Sequence, residues 1–180
     1  MAKHYTMVVD MKRCIGCHAC TIACKMENNL QDGSWISVHT VDSGRFPNVK
    51  RYYHPMLCNH CERPRCFEAC GVGAIAKRED GIVLVDSNLC TGCLDCVQAC
   101  PFNVMKFNNE KNTVEKCTLC VHRVDEGLEP FCAVCCPTRA ISFGDINDIG
   151  SVVFKKAMDG KAFVLLPQYG VKPCVVYCHP

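Results

Sequence analysis

The sequence has no long hydrophobic run. Its apolar stretches are of the length of Ala162 to Leu166, far short of the ~20 residues that a membrane-spanning helix needs, so no span is expected. It also lacks a surplus of one charge. Twenty Lys plus Arg against 18 Asp plus Glu leave a formal net charge of +2, which gives no electrostatic footprint for nucleic acid and no charged tail. The first residues, MAKHYTMVVDMKRC, hold no apolar h-region, so export on a signal of its own is not expected. No Gly-rich phosphate loop, Rossmann fingerprint or P-loop occurs, which argues against a nucleotide site. Nothing marks a substrate pocket. A hydrophobic fraction of 49% excludes disorder by composition, and 180 residues fit one large domain or two small ones.

What the chain does have is cysteine, 19 of 180 residues. So high a count signals either a disulfide scaffold or heavy metal loading, and an odd number leaves one thiol unpaired in a fully oxidised chain. The cysteines fall into four motifs. The first is Cys14-x2-Cys17-x2-Cys20-x3-Cys24 and the second is Cys58-x2-Cys61-x4-Cys66-x3-Cys70. The third is Cys90-x2-Cys93-x2-Cys96-x3-Cys100, followed by Pro101. The fourth is Cys117-x2-Cys120, then 11 residues, then Cys132-x3-Cys136 and Pro137. The first and third have the C-x2-C-x2-C-x3-C spacing of bacterial ferredoxins; the others are stretched variants. Paired C-x2-C knuckles also make zinc sites, but zinc does not explain a third and fourth cysteine at fixed short spacing, four times over.

The spacing has a mechanical reading. Three thiolates on a tight loop hold three irons of one cubane, and the fourth cysteine, expected at the start of a helix that leads away, ligates a different cluster. Gly16 and Gly92, each before the second cysteine of its motif, are expected to let the loop backbone approach the cluster. From Cys58 to Pro101 the chain reads as one two-cluster unit, with GVGAIA and IVLVD forming a hairpin turned at Asp80-Gly81. Crossed ligation groups Cys58, Cys61, Cys66 with Cys100, and Cys90, Cys93, Cys96 with Cys70. The outer motifs read as a second, permuted unit in which YTMVVD before Cys14 pairs with PTRAISFGD after Cys136. That pairing groups Cys14, Cys17, Cys20 with Cys136, and Cys117, Cys120, Cys132 with Cys24. Four [4Fe-4S] clusters then use sixteen cysteines.

Three cysteines remain. Cys135 adjoins Cys136, which is preferred as ligand because it completes the x3 spacing and precedes Pro137. Cys174 and Cys178, in a β-rich tail, are expected to pack as small hydrophobes. Residues 34–41 and 49–54 are expected as strands around a turn at Gly44 to Pro47. Residues 148–159 are expected as a helix stopped by Gly160, followed by AFVLL as a strand. His18 and His60 lie inside motifs already supplied with cysteine and are expected beside a cluster or on the surface. Lys116, His122 and Arg123 flank the fourth motif, where they would either raise a cluster potential or form a solvated face.

The expected fold class is α+β, with two ferredoxin-like units related by a pseudo-twofold. The outer unit takes residues 1–30 and 110–147 and the inner unit 55–109. A β insertion covers 31–54, and a helix and strand extension covers 148–180.

The motif order, KCTLC–x11–CAVCCPTRAISFGD, and the tail LLPQYGVKPCVVYC resemble the iron–sulfur electron-transfer subunits of molybdenum and tungsten oxidoreductases. These include the β subunits of dimethyl sulfoxide, polysulfide/thiosulfate, tetrathionate and arsenate reductases and of formate dehydrogenases. The resemblance runs over essentially the whole chain, and most closely to the short type with no transmembrane helix after the last motif. Gly71 follows Cys70 where many relatives have Pro. The resemblance implies a non-catalytic subunit that docks on a molybdopterin catalytic subunit and on a quinone-reactive membrane subunit. It also implies that the cluster of Cys14, Cys17, Cys20 and Cys136 lies nearest the catalytic subunit, and that of Cys70, Cys90, Cys93 and Cys96 nearest the quinone side. An alternative is a polyferredoxin-like subunit of a hydrogenase or carbon monoxide dehydrogenase complex, which shares the four motifs. Both the cytoplasm and the periplasmic side, reached by co-export with a twin-arginine partner, are compatible with the sequence.

Overall fold

The computed structural model describes residues 3–31 and 33–179. Its elements are short, as a chain interrupted by a cysteine motif every few dozen residues requires. The largest unit is a four-stranded sheet of β1 (Tyr5–Asp10), β8 (Ile141–Asp145), β9 (Ala162–Phe163) and β10 (Val175–Cys178), in the order β8-β1-β10-β9. Strand β1 has no exposed face: Met7, Val8 and Val9 are all buried, which the unbroken apolar run TMVV permits. Helix α6 (Val152–Ala157) covers the sheet, with Val153 buried against Gly144.

Strand β8 pairs antiparallel with β1, Val9 opposite Ile141. This pairing brings the end of the fourth motif beside the start of the first. On the other side β10 runs parallel to β1, Met7 opposite Val175, so the tail completes the sheet. Tyr177 of β10 is fully buried and its hydroxyl donates to the carbonyl of Pro55 at 3.2 Å. Tyr177→Phe leaves that carbonyl without its donor at about 1 kcal/mol. The expected result is a thermal midpoint lower by about 2–4 °C, measured on the iron-loaded chain; an unchanged midpoint would show that the bond contributes nothing.

Three two-stranded hairpins carry the rest. Strands β2 (Ser37–Ser43) and β3 (Lys50–Met56) pair over seven residues each. Asp42 faces Arg51, and the guanidinium donates to both carboxylate oxygens at 2.6 and 2.8 Å, an exposed pair that holds register more than it stabilises. Strand β4 (Ile75–Lys77) pairs with β5 (Val83–Val85), and β6 (Lys106–Asn108) with β7 (Thr113–Glu115). Arg78, after β4, reaches Asp125, in the 11-residue stretch within the fourth motif, at 2.7 Å.

Four elements depart from the sequence expectation. Strand β2 begins at Ser37, because Ser34 Oγ accepts the Ile36 N–H and bends the backbone ahead of it. Helix α6 is six residues, not the whole of 148–159: Ser151 caps it by accepting the Phe154 N–H at 3.0 Å. It closes at Met158, two residues before Gly160. The AFVLL strand is two residues long, since Leu166 turns left-handed (φ 48°) into a 3-10 turn at Pro167–Tyr169. The fourth cysteines do not open helices; they lie within or just after the short helices of the motifs.

Candidate iron–sulfur centres

Each motif forms a tight loop, and the residue before the second cysteine is left-handed in all four: Gly16 (φ 69°), His60 (φ 40°), Gly92 (φ 71°) and Leu119 (φ 54°). Glycine supplies this in the unstretched motifs at no steric cost. The space at these glycines is closed by protein. A Cβ on Gly16 would strike the Tyr53 ring at 2.4 Å, and one on Gly92 the Asn112 carbonyl at 2.7 Å. The loop left-handedness at His60 and Leu119 was not legible, because neither residue advertises it.

The x3 spacing then builds a short helix carrying the third cysteine of each motif. These are α1 (Ala19–Glu27) with Cys20, α2 (Arg65–Glu68) with Cys66, α3 (Asp95–Ala99) with Cys96 and α5 (Phe131–Val134) with Cys132. The fourth cysteine lies one turn on, four residues away. Cys24 is within α1, Cys100 caps α3, and Cys70 and Cys136 follow α2 and α5. Each helix thus presents its two thiols to two different places.

Four groups of thiols result. Cys14, Cys17, Cys20 and Cys136 line one cavity, together with Val38, Pro55 and Ile141. Cys24, Cys117, Cys120 and Cys132 line a second, with Trp35 and Ile36. Cys58, Cys61, Cys66 and Cys100 line a third, with His60, Val83 and Met105. Cys70, Cys90, Cys93 and Cys96 meet as a fourth, the charges of the first three adding to burial to push Cys96 up to about 11. The β2–β3 hairpin and the residues before it therefore wall the first two cavities. Val124 and α4 (Val121–Val124) lie beside the second group.

The groups also adjoin in series, their thiols sharing buried apolar clusters. Cys132 is pushed up by burial and by Cys117, Cys120 and Cys24, but Cys20 of the first group reaches it too. Burial and the Cys58 thiol of the third group together raise Cys117 of the second. Cys66 and Cys100 of the third share an apolar cluster (Ile75, Val83, Met105, Val114) with Cys70, Cys90 and Cys96 of the fourth. All four thiols of the second group are buried, whereas Cys17 and Cys93, in the two end groups, are exposed.

Backbone donors converge on the sulfurs. Ala74 N–H donates to Cys70 Sγ and Ala140 N–H to Cys136 Sγ, each at 3.2 Å and each four residues along. Val114 N–H reaches Cys90 Sγ and Leu119 N–H reaches Cys117 Sγ, both at 3.4 Å. Asn28 Nδ2 lies 3.8 Å from Cys24 Sγ and 3.9 Å from Cys120 Sγ. At Cys136 burial pushes the thiol up, but N–H groups of Ile141, Ala140 and Thr138 and the Thr138 hydroxyl overcome it and hold it below its ordinary value. The adjacent Cys135 is raised, by burial and then by Cys136, and its Sγ is turned onto the Cys132 carbonyl at 3.7 Å.

The remaining candidates separate. His122 and Arg123 both pair with Glu27 on the surface, at 2.9 and 3.4 Å. Lys116 is buried, against the solvated-face reading, because its ammonium finds two carbonyls inside. His60 is buried as well, its Nδ1 accepting the Val83 N–H at 3.0 Å, and burial followed by the Lys116 charge holds it well below the ordinary histidine value. His18 is the left-handed residue before α1. Cys178 ends β10. Cys174 meets His4 and Glu62 within 4.8 Å, but the Lys77 ammonium bonds that carboxylate at 2.5 Å and supplies the corner with its cation.

Soft thiols in fours, apolar walls, and amide N–H groups directed at sulfur suit an iron–sulfur cluster, whose sulfurs accept such bonds. The fold and these sites define an iron–sulfur protein of the ferredoxin kind. Residues 49–146 match the 4Fe-4S dicluster domain. The chain is 40% identical to a subunit of the tetrathionate reductase of Salmonella typhimurium over 178 residues, 96% of this chain and 71% of that one. It is 38% identical to a subunit of the anaerobic dimethyl sulfoxide reductase of Escherichia coli, over 98% and 89% of the two sequences. With the arsenate respiratory reductase iron–sulfur subunit of a Shewanella species the figures are 35%, 95% and 94%. The chain therefore belongs to this family of iron–sulfur electron-transfer subunits of reductases, and it carries [4Fe-4S] clusters. No helix among the described residues is long and apolar enough to cross a membrane.

Proposed function

We propose that the chain holds four [4Fe-4S] clusters on the four thiol groups and relays electrons across itself between a molybdopterin catalytic subunit and a quinone-reactive membrane subunit or other redox partner. The chain itself is non-catalytic. One observation carries the relay: the groups adjoin in series, and exposed thiols occur at its two ends. Each cluster, when bound, supplies a one-electron centre. The protein's part is to hold the sulfurs, donate N–H groups to them and exclude water with Trp35, Ile36, Val83 and Met105. Exposed apolar side chains flank both ends, Ile15 and Ile22 beside the first group and Leu89 and Leu94 beside the fourth, as surfaces that dock partners do. The relatives' names, subunits of tetrathionate, dimethyl sulfoxide and arsenate reductases, favour a molybdenum or tungsten partner over a nickel one.

In this reading the inner ferredoxin-like unit is 55–109 and the outer one 1–30 with 110–147, related by a pseudo-twofold. The repeated Cys70–Ala74 and Cys136–Ala140 bonds support the relation. Segment 31–54 is an insertion over the first two groups, and 148–180 an extension whose strand joins the outer sheet.

Four groups of four irons amount to about 16 iron atoms per chain with an equal amount of acid-labile sulfide, measured on anaerobically prepared protein. A zinc-dominated result ends the reading. Purification of the native complex is expected to bring down a large molybdenum or tungsten protein; a nickel protein in its place would shift the assignment to the hydrogenase or carbon monoxide dehydrogenase alternative.

A further inference from the structure

Lys116 is 2% exposed. Its Nζ donates to the carbonyl of Val83 and, at 3.1 Å, to that of Cys117. Among the described residues no carboxylate forms an ion pair with it. A buried ammonium with carbonyls alone as partners is costly, and interiors retain such charges when an opposite charge compensates them.

The two carbonyls say where that compensation comes from. Val83 lines the cavity of Cys58, Cys61, Cys66 and Cys100, and Cys117 that of Cys24, Cys117, Cys120 and Cys132. One ammonium therefore hydrogen-bonds a wall residue of each. Cys58 of one group and Cys117 of the other also belong to one buried apolar cluster.

Building on the ligand sets proposed above, we propose that Lys116 is the shared counter-ion of the clusters at these two groups, a positioning charge that raises both reduction potentials and leaves the other two alone. A cubane held by four thiolates is anionic, and taking up one electron adds one negative charge. A fixed cation in a low-dielectric interior stabilises the reduced form more than the oxidised one. The second and third groups are thereby matched to each other at the junction of the two units. His60 belongs to the same junction: its Nδ1 takes the Val83 N–H, so the neutral ring keeps its proton on Nε2 and leaves Lys116 as the charge there.

The test is an electron paramagnetic resonance redox titration of the iron-loaded chain. Cys58→Ser and Cys24→Ser first assign the signals, each removing one; if neither removes a separate signal, the ligand sets are wrong, whatever Lys116 does. With signals assigned, Lys116→Met is expected to lower the midpoints of those two clusters and leave the other two in place, and Lys116→Arg to bring them back towards wild type. Four unmoved midpoints in fully loaded Lys116→Met protein, or an equal shift of all four, overturn the proposal. Where Lys116→Met does not hold iron, loading decides: loss from these two groups in Lys116→Met and Lys116→Gln but not in Lys116→Arg upholds a counter-ion, and equal loss in all three shows a packing role and overturns it.

Discussion

Stripped of its iron, the chain is expected to lose its cooperative thermal transition. The helices at the sites are four, five and nine residues long, and the inner strands three each. Helices below ~12 residues and isolated two-stranded hairpins are marginal on their own. What fixes them is the set of thiols they carry. Burial pushes Cys20 and Cys66 up to about 12, so without iron these thiols stay protonated and contribute packing alone. A structural metal site contributes on the order of 10 kcal/mol to folding, against a net stability of about 5–15 kcal/mol for a whole domain. Losing all of the sites together therefore removes a sum larger than that total. The measurement is calorimetry of chelated, reduced protein beside the loaded form, with the visible cluster absorbance followed in parallel. Residual structure is expected to be limited to the four-stranded sheet, where Met7, Val9, Val175 and Tyr177 form an apolar layer. A cooperative transition surviving in the stripped chain would show that this layer extends into a core able to fold by itself.

That contrast between sheet and sites also explains what could be read from the residues. The pairing of β1 with β8 was legible because each directly flanks a cysteine motif, one before Cys14 and the other after Cys136. The place of β10 beside β1 was not: it is a parallel pairing between opposite ends of the chain, and no local pattern marks its partner. The helices at the motifs were misplaced by one turn, because the x3 spacing reports only that two thiols are one turn apart and not where the helix starts. At Gly16 and Gly92 the sequence suggested a loop backbone free to approach the cluster, yet the place a Cβ would take is filled by Tyr53 and Asn112, which no local pattern marks. Lys116 was hardest to read. A lysine ahead of a cysteine looks solvated in any sequence pattern, and its burial depends on the carbonyl of Val83 arriving from the inner hairpin.

Replacing Cys136 with Ser is expected to disturb the same cluster as Cys14→Ser, and Cys24→Ser to disturb a different one. Both parts follow from helices with x3 spacing. On α1, Cys20 lines the cavity of Cys14 and Cys17, while Cys24, one turn on, lines that of Cys117, Cys120 and Cys132. On α5 the exchange is reversed: Cys132 joins Cys24, and Cys136, past the helix end, joins Cys14. The effect is large, since an oxygen in place of a thiolate removes a ligand from a site whose stability is folding stability. The expected reading is loss or conversion of one paramagnetic resonance signal per variant. Cys135→Ser is expected to leave every signal in place. Its sulfur is turned onto the Cys132 carbonyl, whereas amide groups of Thr138, Ala140 and Ile141 are directed at the Cys136 sulfur and hold its thiol below the ordinary value. Yet Cys135 is close enough for its charge to raise Cys20, after burial, so this variant is a sharp test. Loss of a cluster in Cys135→Ser with Cys136→Ser intact would move the ligand by one residue and leave the amide groups at Cys136 without a purpose. Disturbance of one and the same signal by Cys136→Ser and Cys24→Ser would mean that the two thiol groups at the outer sheet are a single centre, and the series of four would shorten to three.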